Sequence, residues 1–119
     1  MNEKIIKDKL VENILKYVDI SSQSDEENIE IPSSPGQVTL GKKLAEDLSE
    51  LGLVDISINE FGVLQARLPK RGNSRKSLGW VAHLDTVDVG MSEKIHPQII
   101  KSYDDSDIRL NEDVFFSTK

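Results

Sequence analysis

The chain has 119 residues, 37% apolar and 30% charged, with a formal net charge of −6, a balance that suits one modest globular unit or a piece of a larger one. The acidic excess and the 5% aromatic content argue against a general phosphate-binding surface and against a base-stacking platform for nucleic acid. Cysteine is absent, so thiol nucleophiles, disulfides and cysteine-based zinc sites are excluded, and any zinc site must draw on His and carboxylates, the donors of hydrolytic zinc.

The first residues alternate charge with apolar side chains and lack the core of a signal peptide. No apolar run approaches the roughly 20 residues of a membrane span, and the expected address is the cytoplasm. Ile6, Leu10, Ile14 and Tyr17, flanked by Val11, Leu15 and Val18, predict an amphipathic helix over 5–18. Residues 19–32 read as a polar loop. A second helix follows, with Ser34 as N-cap, Pro35 as first helical residue and Gln37 completing a capping box. Its buried stripe is expected at Val38, Leu44, Ala45, Leu48 and Leu51, with Gly52 as the left-handed C′ residue and Leu53 folding back over the last turn.

Val54, Ile56 and Ile58 alternate with Asp55, Ser57 and Asn59, a half-buried strand. A turn at 59–62 and a second strand over 63–68, ended by Pro69, make a hairpin. The basic stretch 70–76 reads as a solvated loop, without the helix N-terminus that a phosphate site requires. Leu78, Trp80, Val81, Ala82 and Leu84 are apolar on both faces, which predicts a central strand covered on each side and ending in His83-Leu84-Asp85. A short strand at 98–101, an acidic turn at 104–107 and a short strand at 108–110 complete the reading. The apolar stretch Val114-Phe115-Phe116 has no later element to bury it, which leads us to expect a chain cut from a longer one. The expected fold class is α/β, two helices packed on a mixed sheet with a β-hairpin.

In such sheets ligands gather at the carboxyl ends of strands. His83 and Asp85 stand there, two residues apart and therefore on one face. A neutral imidazole binds a cation, and a neighbouring carboxylate orients it and raises its basicity; a hydrogen-bonded His at a strand end is the competing reading. Asp88 is close enough in sequence to enter the same cleft. His96 precedes Pro97 without a partner at ligand spacing, and Asp104, Asp105 and Asp107 lack the Gly and closing Glu of a calcium loop. Phosphate-loop, dinucleotide and serine-elbow motifs are missing.

His83-Leu84-Asp85-Thr86-Val87 after an apolar strand resembles the first metal-site motif of the zinc exopeptidase family, whose members include peptidase T, bacterial dipeptidases, glutamate carboxypeptidase and aminoacylase. The preceding order of elements is similar too. Tyr17-Val18 with Ser24, and Pro32-Ser33-Ser34-Pro35-Gly36-Gln37, resemble the peptidase T branch, as do Pro97-Gln98-Ile99-Ile100, Tyr103 and Asp107-Ile108-Arg109-Leu110. Val87-Asp88-Val89-Gly90 departs from the Pro-containing segment common in that branch.

The resemblance implies that residues 1–119 are the N-terminal portion of a zinc-peptidase catalytic domain, the rest of which, with any dimerisation domain, would follow. It implies two zinc ions per full-length subunit, a small peptide substrate, neither nucleic acid nor membrane as partner, and a homodimeric whole protein. His83 would be a zinc ligand and Asp85 the acidic partner that orients ligand imidazole, while the general-base Glu and the remaining ligands would lie beyond residue 119. The implied activity is removal of the N-terminal residue from tripeptides by zinc-activated water, with the 119-residue piece inactive by itself. Another activity of the same family (dipeptidase, carboxypeptidase or deacylase) and a non-catalytic binding module retaining the fold are the alternatives.

Overall fold

The computed structural model describes residues 2–73, 75–90 and 92–117; the terminal Thr118 and Lys119, and Ser74 of the basic loop, lie outside them. Helix α1 (Glu3–Val18) starts at Asn2, whose side chain accepts from the Lys4 amide at 3.0 Å. Glu3 in its first turn and Lys16 in its last complement the helix dipole. The apolar stripe forms as read, yet Ile6, Leu10 and Ile14 stay exposed, and only the last turn, around Leu15, Tyr17 and Val18, is partly covered.

Helix α2 (Pro35–Glu50) ends as expected. Gly52 has φ +83°, its amide donates to Ser49, and the Leu53 amide donates to Leu48, closing a Schellman motif. Its start differs from the capping box. Gln37 Nε2 donates to Ser33 Oγ at 3.2 Å instead, and Ser34 Oγ, though buried, has no partner among the described residues. The buried positions also differ: Leu40, Gly41 and Asp47 are the most enclosed, Val38, Leu44, Ala45 and Leu48 are intermediate, and Leu51 is exposed.

Asp47 sits between the two helices. Its Oδ2 accepts from the Tyr17 hydroxyl at 2.7 Å and pairs with Lys16 Nζ at 2.5 Å, and its Oδ1 lies 3.3 Å from Lys43 Nζ. The hydrogen bonds from Lys16 and Tyr17 hold the Asp47 carboxyl down to about 2. Burial first, and then the Asp47 hydrogen bond, push the Tyr17 hydroxyl up to about 12. The stabilisation from Asp47 is therefore complete above its ordinary 3.8 and fades as pH falls through about 2. That from Tyr17 is complete below its ordinary 10.0 and fades as pH rises through about 12. Asp47→Asn is expected to cost about 1–3 kcal/mol at pH 7, and the gap between its melting temperature and that of the parent should narrow by pH 3, on the way to the loss expected below about 2. An equal gap at both values would contradict this assignment.

Strands β1 (Val54–Ile58) and β2 (Leu64–Arg67) form the expected antiparallel hairpin, with Ser57 opposite Gln65 and Ile58 opposite Leu64. Asn59 Oδ1 accepts from the Phe61 and Val63 amides and so shapes the turn, while Gly62 supplies its φ of +75°. A register irregularity lies between Val54 and Ser57, where Asp55 has φ +54° and pairs with Arg67. Helix α2 packs on this hairpin. Strands β3 (Ile108–Arg109) and β4 (Phe115–Phe116) make a second antiparallel pair, so the Phe115-Phe116 stretch is itself a strand.

Two expectations fail. Residues 78–84 and 98–101 form no strand, and the described strands make two separate antiparallel pairs rather than one mixed sheet. The parallel contact near them is a single bridge between Gln23 and Thr86. A strand apolar on both faces needs neighbours on both edges and covering layers above and below. The described residues supply none to 78–82, so Trp80 is 88% and Val81 101% exposed, and of the apolar residues in 78–84 only Leu84 is half-buried. The same shortfall shows in the dimensions. A surface of 10548 Å² compares with about 6,500 Å² for a self-contained globule of this mass, and a radius of gyration of 17.8 Å with about 13–14 Å.

Candidate functional site

Leu84 sets the geometry of the motif. Its Cδ1 lies beside Gly41 of α2, where Ile58 of β1 also arrives. His83 and Asp85, on either side of it, remain outside that contact, with side chains 84% and 45% exposed. They meet without a strand to align them. His83 Nδ1 lies 2.8 Å from the Asp85 carbonyl oxygen and 3.3 Å from its Oδ1. Both atoms are acceptors, so the ring proton belongs on Nδ1 and the lone pair on Nε2.

An imidazole with Nε2 open and Nδ1 held by oxygen is the form in which His serves zinc. The pair thus fits one His ligand and its orienting acceptor. Among the described residues no group of three or more His, Cys, Asp or Glu could hold a metal ion.

The residue after Asp85 is held on both of its backbone groups. The Thr86 amide donates to the Ser22 carbonyl at 3.2 Å, and the Thr86 carbonyl accepts from the Ser24 amide at 2.8 Å and from Ser24 Oγ at 3.2 Å. Asp88 does not join His83; its Oδ1 accepts from Gln23 Nε2 and from the Gly90 amide, each at 3.0 Å. His96 is exposed in a loop. Asp104 accepts from the Ser106 amide, and hydrogen bonds from Ser106 hold its carboxyl below the usual range, which makes this an acidic turn closed on itself.

Two features lie beyond the sequence reading. Gln23 and Asp88 are 65 residues apart, and no periodicity links them. Asp47 had a signal: it occupies a stripe position three residues after Leu44, opposite Lys16 and Tyr17 at the end of α1.

No helix among the described residues is long and apolar enough to cross a membrane. No family model matches the chain. Comparison with curated proteins gives a consistent set of relatives. The chain is 41% identical over 110 residues to peptidase T of Bacillus subtilis, covering 90% of this chain and 26% of that protein. It is 40% identical over 110 residues to peptidase T of Bacillus velezensis, with the same coverage. It is 41% identical over 109 residues to peptidase T of Clostridium acetobutylicum, covering 89% of this chain and 26% of the relative. The chain therefore spans about a quarter of the length of the relatives it matches. With the motif, the helix pair and the hairpin in place, this similarity makes the chain a homologue of peptidase T, in a span consistent with an N-terminal fragment of that family.

Proposed function

We propose that the chain is the N-terminal portion of the catalytic domain of a zinc-dependent aminopeptidase, one that removes the N-terminal residue from tripeptides, and that it has no activity in isolation. The observation that carries this reading is His83, its Nδ1 engaged by Asp85 and its Nε2 open, in a chain about 40% identical to peptidase T. His83 offers one ligand nitrogen. Asp85 keeps the ring proton on the far nitrogen and fixes the plane of the ring. Paired zinc ions, when bound, polarise a scissile carbonyl and lower the pKa of the attacking water. The remaining ligands and the general base belong to sequence outside this chain. The same sequence would cover 78–82, whose apolar side chains otherwise face water.

The test uses two preparations, the 119-residue chain and a peptidase T-length protein containing it. The long protein should release the N-terminal residue of a tripeptide, lose that activity to a chelator and regain it with zinc, while the short chain shows none. Turnover by the purified short chain, or turnover in the long protein that ignores chelation, would contradict the reading.

A further inference from the structure

The segment that follows α1 is polar and carries no catalytic motif, yet it makes the long-range hydrogen bonds to the residues just after His83 and Asp85. Ser22 is 5% exposed, and residues 22–24 take both backbone groups of Thr86. Gln23 then reaches past Thr86 to Asp88. The orientation of its amide follows from charge. A carboxylate accepts and does not donate, so Nε2 must face Asp88 and Oε1 must face away. Oε1 is buried without a partner among the described residues. A buried acceptor left bare is a cost, and here it accompanies a contact on the segment whose backbone hydrogen bonds hold the residue after Asp85.

We propose that Gln23 is a positioning residue for the metal site, locking Asp88 away from the His83 imidazole and fixing the backbone at Thr86 so that Asp85 alone backs His83. This rests on the metallopeptidase reading above. Two carboxylates follow His83 within five residues, and only one can hold Nδ1. The Gln23 amide and the Gly90 amide occupy Asp88 Oδ1 together.

Gln23→Glu keeps the shape and sets a carboxylate against a carboxylate. In the peptidase T-length protein it should weaken zinc binding about 10-fold, the low end of what outer partners of a ligand contribute, and speed hydrogen exchange of the Thr86 amide. Adding Asp88→Asn reverses donor and acceptor across the same contact, and should restore both the zinc affinity and the slow exchange. Zinc titration against a competing chelator, on both variants and on His83→Ala, separates the possible failures. If His83→Ala weakens zinc while Gln23→Glu does not, or if the double variant stays as weak as Gln23→Glu, the positioning role is wrong and the metal reading stands. If His83→Ala binds zinc like the parent, the metal reading falls and the role of Gln23 falls with it.

Discussion

Gly36→Ala is expected to destabilise the protein by about 3 kcal/mol, near the upper end of overpacking costs, and to disturb the His83–Asp85 pair from a distance. A β-carbon on Gly36 would stand 1.4 Å from the carbonyl oxygen of Ser21 and 2.6 Å from its carbonyl carbon. Both are backbone atoms, so no side chain can swing aside. Reaching ordinary contact requires the start of α2 and residues 21–22 to part by roughly 2 Å. Ser22 and Ser24 hold Thr86, so that movement would be passed to the residue beside Asp85. Gly52 offers the contrast. It has nothing within 4 Å, and alanine there meets only the strain of φ +83°, about 1 kcal/mol. Thermal unfolding of the two variants in the peptidase T-length protein should rank them in that order. Equal melting temperatures for Gly36→Ala and the parent would show that the helix start does not press on Ser21.

The second large effect concerns activity. His83→Ala should lower peptide turnover of the long protein by more than about 100-fold, beyond the range for residues that only support a ligand. Asp85→Asn should do less, and the geometry says why. The nearer acceptor of Nδ1 is the Asp85 backbone oxygen at 2.8 Å, which the substitution leaves in place, whereas the carboxylate is at 3.3 Å. The tautomer is therefore retained and only the charge is lost. A fall of about 10-fold in turnover or zinc affinity is expected, with zinc content near that of the parent at saturating metal. Turnover and zinc content measured on the same preparations check this. Equal losses in the two variants would mean that the carboxylate itself binds metal, and near-parental activity in both would remove the motif from the chemistry.

What could be read from the sequence was whatever local chemistry decides. The i, i+4 stripe of α1, Pro35 and Gly52 at the two ends of α2, and the alternation of β1 with the turn at Asn59 each act within a few residues, and each appears where the pattern put it. The errors are non-local. Gln37 stands at the spacing of a reciprocal cap to Ser34, but its side-chain amide donates to Ser33 Oγ and its backbone amide to the Ser34 carbonyl oxygen instead. The stretch 78–84 has the pattern of a doubly covered strand, yet a pattern states a requirement and cannot supply the neighbours that meet it. His83 and Asp85 illustrate both sides. The strand expected to align them is absent from the described structure, but they still meet, because their contact spans only two residues. Gln23 and Asp88 could not be found by pattern, since a contact across 65 residues depends on the fold that brings them together.

Whether His83 is a zinc ligand backed by Asp85 can be read from a crystal structure of the peptidase T-length protein with zinc, using anomalous scattering at the zinc edge. The expected result is a zinc peak at bonding distance from His83 Nε2, with Nδ1 still facing Asp85 and Gln23 still on Asp88. Zinc bound elsewhere with His83 Nε2 turned to solvent would contradict it.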